Sequence, residues 1–225
     1  MLIKPIKHNS LGTQVADELR TLIATRRIEA GTTIGEEALA AQFGLSRGPV
    51  REAIKTLAGE GLIELGGRSA VIRGLDADDI DELFSLRLIL ESAAVRMATE
   101  RDVEQLLAQL DAALDEMEDA VAGGSAKAFA AADLRFHSSL YSVAGHRRLQ
   151  GIWDLYRPSI SVVLLASRST YDDLRPSIDS HYKLRDLVGS GDLDAVVAEL
   201  ERHLDNARSR VREFYAAGSH DQTSE

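Results

Sequence analysis

From Asp76 to Phe214 apolar residues recur at helical spacing, and no stretch of that span alternates as a strand would. That pattern obliges well over half of the chain to bury itself as helix against helix. Ile80, Leu83, Phe84, Leu86, Leu90 and Ala94 mark a first helix. Val103, Leu106, Leu107, Leu110, Leu114, Met117 and Val121 mark the next, broken at Gly123-Gly124. Further helices are predicted over about 126–144, 149–167, 177–188 and 193–214. Pro158 is expected to kink or interrupt one of them, and Asp192 to cap the last.

The front of the chain has a different grain. Leu11, Val15, Leu19, Leu22 and Ile23 predict a helix over 11–28 behind Ser10 as N-cap. A short helix follows at about 36–43, stopped by Gly44. A third runs over about 47–60 behind Ser46, with Pro49 in its first turn. Leu62–Leu65, Gly66-Gly67 and Ala70–Ile72 then read as strand, tight turn, strand. The expected fold is mainly α: a winged helix-turn-helix of three helices and a β-hairpin wing, followed by an all-α antiparallel helical bundle. The expected domains are 1–74 and 75–217, with a disordered tail at 218–225.

Charge is distributed unequally. Residues 1–74 hold ten Lys and Arg against eight Asp and Glu, while the rest holds sixteen against twenty-eight, within a net charge of −10. A domain that reads DNA avoids net acidity, and this split is compatible with a nucleic-acid-binding front. There are no cysteines, so neither disulfides nor thiolate metal sites. No apolar run is long enough to span a bilayer, and residues 1–10 lack a signal-peptide core. A cytoplasmic protein with no membrane partner is expected.

In a helix-turn-helix the N-terminal residues of the second helix enter the major groove. Arg47 and Arg51 stand four apart, so they share a face, with Lys55 one turn further. Val50, Ile54 and Leu57 fall on the opposite face. Arginine forks suit guanine edges, each good pair giving about 1–3 kcal/mol of discrimination, and they suit phosphates as well. Arg68, in the hairpin turn, is placed where a wing meets DNA. A solvated arginine face on an ordinary helical subdomain has the same pattern, and periodicity does not choose between the two.

The run Gly44-Leu45-Ser46-Arg47-Gly48-Pro49-Val50-Arg51-Glu52-Ala53-Ile54-Lys55-Thr56-Leu57, followed by Glu60-Gly61-Leu62-Ile63, closely resembles the signature of GntR-family regulators. The resemblance implies a homodimer on a palindromic double-stranded operator. It implies Arg47 and Arg51 as main DNA contacts, with Ser46 and Arg68 assisting, while Lys55 is expected from its spacing to touch phosphate. One departure stands out: many members carry arginine where this chain has Glu37, so a contact from the second helix is expected to be missing.

In the helical part, Asp133 and His137 lie one turn apart on a stripe with Phe129, Phe136 and Leu140. His181 shares a stripe with Ile178, Leu184 and Val188, and His203 one with Val196, Leu200 and Ala207. Three imidazoles and a carboxylate on inward faces make a donor set for Zn²⁺, Ni²⁺ or Mn²⁺. Separate core histidines with local hydrogen bonds account for the same spacing, since no local rule joins positions 137, 181 and 203. Asp133-Leu134-Arg135-Phe136-His137 with His181 and His203 resembles the FCD-type effector domain of the FadR branch of the family. In metal-binding members of that branch the matching Asp and three His hold the ion, and zinc is the metal expected for this chain. Arg87 also lies on an inward stripe, where it either pairs with Glu91 one turn on or grips the carboxylate of an effector. His146 is expected to cap the following helix.

Together these readings describe a metal-containing repressor that senses a small organic acid. A purely structural metal in the same regulator is the alternative. A metal-dependent hydrolase is remote, because there is no His-Glu-x-x-His motif and no evident glutamate beside the ligand set.

Overall fold

The computed structural model describes residues 10–66, 69–168 and 173–217. The chain divides between Leu75 and Asp76 into two units. In the first, α1 (Leu11–Ala24) starts at Ser10, whose hydroxyl accepts from the Thr13 N–H. It ends four residues sooner than the apolar spacing predicts. Arg26 takes a positive φ of 57°, and the backbone N–H groups of Arg27 and Ile28 both turn back to the Leu22 carbonyl. Ile28 still reaches the core, but from a turn rather than from a helix.

α2 (Glu36–Phe43) stops at Gly44, whose φ of 65° is open to glycine at little cost. This sharp turn delivers the chain to α3 (Arg47–Gly59), with Ser46 at the N-cap in extended conformation. β2 (Ile63–Gly66) and β3 (Ser69–Ile72) pair antiparallel from Ile63 opposite Ile72 to Gly66 opposite Ser69. The tip of this hairpin, with Arg68, lies outside the described residues. A two-residue strand, β1 (Thr33–Ile34), pairs with the other side of β3, so the sheet order is β1-β3-β2. It is too short to leave a period in the sequence. Val15, Leu19, Ile23, Leu39, Val50, Ile54, Leu57, Leu62 and Ile72 form the core of this unit. Arg20 is buried with them and donates two bonds to Glu60, 2.7 and 2.6 Å long, tying α1 to the end of α3.

The second unit is a helical bundle. α4 (Ala77–Ala122) opens on a capping box between Asp76 and Asp79. It is broken midway, where Asp102 leaves helical φ/ψ and its carboxylate accepts from the Gln105 N–H. The two apolar stripes read in the sequence correspond to the two halves. α5 (Ala126–Ala144), α6 (Arg147–Arg168), α7 (Arg175–Ser190) and α8 (Leu193–Ala217) complete the bundle. α5, α7 and α8 all pack on α4. Pro158 does not interrupt α6, which runs through it as one element and gives up one backbone donor there. His146 does cap α6, accepting the Leu149 N–H at its Nδ1. Residues 218–225, expected to be a disordered tail, lie outside the described residues. Among the described residues no helix is long and apolar enough to cross a membrane.

Candidate functional site

The first unit presents an open groove of about 680 Å³ whose lining includes Glu36, Glu37, Arg47, Arg51, Lys55 and Ser69. α3 supplies the basic residues because its other face, Val50, Ala53, Ile54 and Leu57, is fully committed to the core. Ser46, Arg47, Arg51 and Lys55 are all exposed. Both arginines meet carboxylates from the first turn of α2. Arg51 forks onto Glu36, with Nε at 2.8 and 3.1 Å and Nη2 at 2.7 Å. Arg47 Nη2 donates to Glu37. The bond from Arg51 holds the Glu36 carboxyl below its usual range. The sequence marks Glu37 as a departure, but not that it meets Arg47.

The second unit gathers a buried polar cluster from four helices. His137 (α5), His181 (α7) and His203 (α8) approach so that one ring nitrogen of each lies within 4.8 Å of the others. His203 Nε2 is 3.3 Å from His137 Nε2. Asp133 reaches two of the rings, with Oδ1 3.3 Å from His181 Nε2 and Oδ2 4.0 Å from His137 Nε2. All four side chains are buried, and Phe136 closes one wall with its ring set edgewise to His181 and His137.

Each imidazole is oriented through its other nitrogen. His181 Nδ1 lies 2.7 Å from the Ser177 carbonyl, His203 Nδ1 2.7 Å from the Ser180 hydroxyl, and His137 Nδ1 2.6 Å from Glu91 Oε2. A carbonyl only accepts, so His181 Nδ1 carries the proton. Burial pushes the His181 and His203 pKa values down, which favours neutral rings. In neutral His181 the Nε2 lone pair then faces a carboxylate oxygen, acceptor to acceptor, with no hydrogen-bond partner among the described residues. A divalent cation resolves that opposition, and orientation of the rings by outer hydrogen bonds is what imidazole–metal sites use. The residues fit a metal of the N/O class.

Glu91 corrects the expectation that no glutamate stands beside this set. It is wholly buried on α4, accepting from Arg87 Nε at 2.8 Å through one oxygen and meeting His137 through the other. Burial by itself would raise its pKa, but Arg87 and His137 outweigh that and hold it below its usual value. With both oxygens engaged and no solvent access it is poorly placed as a general base for water. Its only sequence signal is a carboxylate one turn from an inward-facing arginine. Arg87 makes the pairing with Glu91, yet its Nη2 is buried with no hydrogen-bond partner among the described residues, as is the Tyr141 hydroxyl one turn beyond His137.

Residues 11–72 match the family model described as bacterial regulatory proteins, gntR family, and residues 82–206 match the FCD domain. The gluconate operon transcriptional repressor of Bacillus subtilis (strain 168) is 32% identical over 211 residues, spanning 92% of this chain and 87% of that protein. A probable D-xylose utilization operon transcriptional repressor of Paenarthrobacter nicotinovorans is 29% identical over 205 residues, spanning 89% and 88%. Among solved structures, E. coli McbR/YncC superposes with a TM-score of 0.73 over 92% of this chain and 99% of that one, at 21% identity, a likeness of fold.

Proposed function

Because the chain belongs to the gntR family of bacterial regulatory proteins and carries its FCD domain, a regulator and not an enzyme, we propose that it is a metal-containing transcriptional repressor released or tightened on its operator by a small organic acid. The reading takes the protein as a cytoplasmic homodimer on palindromic double-stranded DNA, since a two-fold operator calls for a two-fold protein. Arg47 and Arg51 make the main contacts, with Ser46, Lys55 and Arg68 around them. The exposure of Arg47, Arg51 and Lys55 along α3 supports this role.

For the second unit, the observation that carries the proposal is the convergence of one ring nitrogen from each of three imidazoles whose Nδ1 atoms already have partners. Asp133, His137, His181 and His203 would hold the ion, with zinc the best match and nickel or manganese also suited to the donors. When bound it supplies a Lewis-acidic seat for a carboxylate oxygen. Arg87 holds a spare buried donor, Nη2, for the same class of ligand, while its Nε stays on Glu91. To regulate, the ligand must favour one state of the protein over another, typically by about 1–3 kcal/mol.

Metal analysis of the purified full chain tests the site. The wild type is expected to carry about one ion per chain, and His137→Ala to carry little. Full occupancy in that variant would show the assignment wrong. A second reading, a metal that is only structural, is favoured by the burial of all four side chains. Thermal shift against a panel of carboxylates that includes gluconate separates the two, because a true ligand raises the melting temperature with occupancy.

A further inference from the structure

The two acids of the α2 first turn are not equivalent. Glu36 is one-third exposed and is absorbed by its fork with Arg51. Glu37 is 82% exposed and, among the described residues, touches one donor, Arg47 Nη2. Its second oxygen has no partner among the described residues.

An acid in this groove meets mostly hostile groups when DNA arrives. Phosphates repel it. Guanine O6 and N7, adenine N7 and thymine O4 are all acceptors. Only the exocyclic amines, cytosine N4 and adenine N6, donate. A G·C pair sets two acceptors and one amine side by side, which an arginine fork with an adjoining carboxylate complements. Arg47 and Glu37 are such a couple, held together across the turn between α2 and α3.

We propose that Glu37 is a specificity-determining residue that accepts from cytosine N4 in the base pair whose guanine Arg47 reads. The inference rests on the reading of α3 as the element in the major groove. It turns the absence of an α2 arginine from a lost contact into a different one.

The test is selection from a random-centred duplex library with the full-length protein, comparing wild type, Glu37→Ala, Glu37→Gln and Arg47→Ala. Glu37 is on the surface, so its variants are expected to melt with the wild type. Wild type should enrich a G·C pair at a fixed position of each half-site. Glu37→Ala should lose roughly ten-fold of the preference at that pair, leaving the other positions unchanged. If Glu37→Ala enriches the same consensus and only binds every duplex more tightly, the residue is a charge brake and the proposal fails. Loss of that pair in Arg47→Ala but not in Glu37→Ala would leave the arginine reading standing and remove Glu37 alone. A wild type that enriches nothing overturns both.

Discussion

The protein contains the same chemical couple, arginine against glutamate, in two opposite settings. In the head, Arg47–Glu37 and Arg51–Glu36 stand in water, with side-chain exposures of 57%/82% and 55%/34%. In the bundle, Arg87–Glu91 is sealed at 3% and 0%. Exposed pairs gain little because water screens them, and they part easily. The arginines of α3 are therefore held in position yet remain available to another partner. A buried pair has lost its water and depends wholly on its companions. Arg87 and Glu91 can hold His137 in place because neither has anywhere else to go. Burial decides whether an ion pair is a loan of two side chains or a fixture.

The sharpest way to break this contrast is to remove one buried partner. Glu91→Ala leaves a guanidinium buried without its carboxylate and should destabilise the bundle by about 3–5 kcal/mol, measured by urea unfolding of the full chain. A loss comparable to that of a surface mutant would mean that the pair is not the fixture described. Next, Arg51→Ala should weaken binding to a selected operator by roughly ten-fold to a hundred-fold, the range of one good base contact, with the unfolding midpoint unmoved. A drop in stability instead would make Arg51 structural. The smallest effect should come from Glu36→Gln, which should leave the urea midpoint unchanged. The Glu36 carboxyl is held low by Arg51, so whatever the pair contributes is present above the ordinary carboxylate range and fades as pH falls through its depressed value. A clear destabilisation at neutral pH would erase the distinction between the two settings.

What the sequence revealed follows the range of the forces involved. α3 was readable because its cap, Pro49 and its apolar stripe are local, and so were the inward faces of His137, His181 and His203. The approach of those three rings was not, since their positions span sixty-six residues and no periodicity relates one helix to another. Glu91 was visible as a neighbour of Arg87 but not of His137, forty-six residues away. Glu36 and Glu37 were visible as acids, whereas their pairing depends on the turn at Gly44. β1 was lost because two residues carry no pattern, and the early end of α1 because Arg26 in a left-handed conformation has no propensity that announces it.

The three anchors beneath the imidazoles differ in how they would fare under genetic drift. His137 rests on the Glu91 carboxylate and His203 on the Ser180 hydroxyl, and a single substitution deletes either. His181 rests on the main-chain carbonyl of Ser177, which every amino acid possesses. Replacement of residue 177 leaves that oxygen in place so long as the helix stands. In a lineage whose outer contacts are eroding, the orientation of His181 should be the last of the three to be lost.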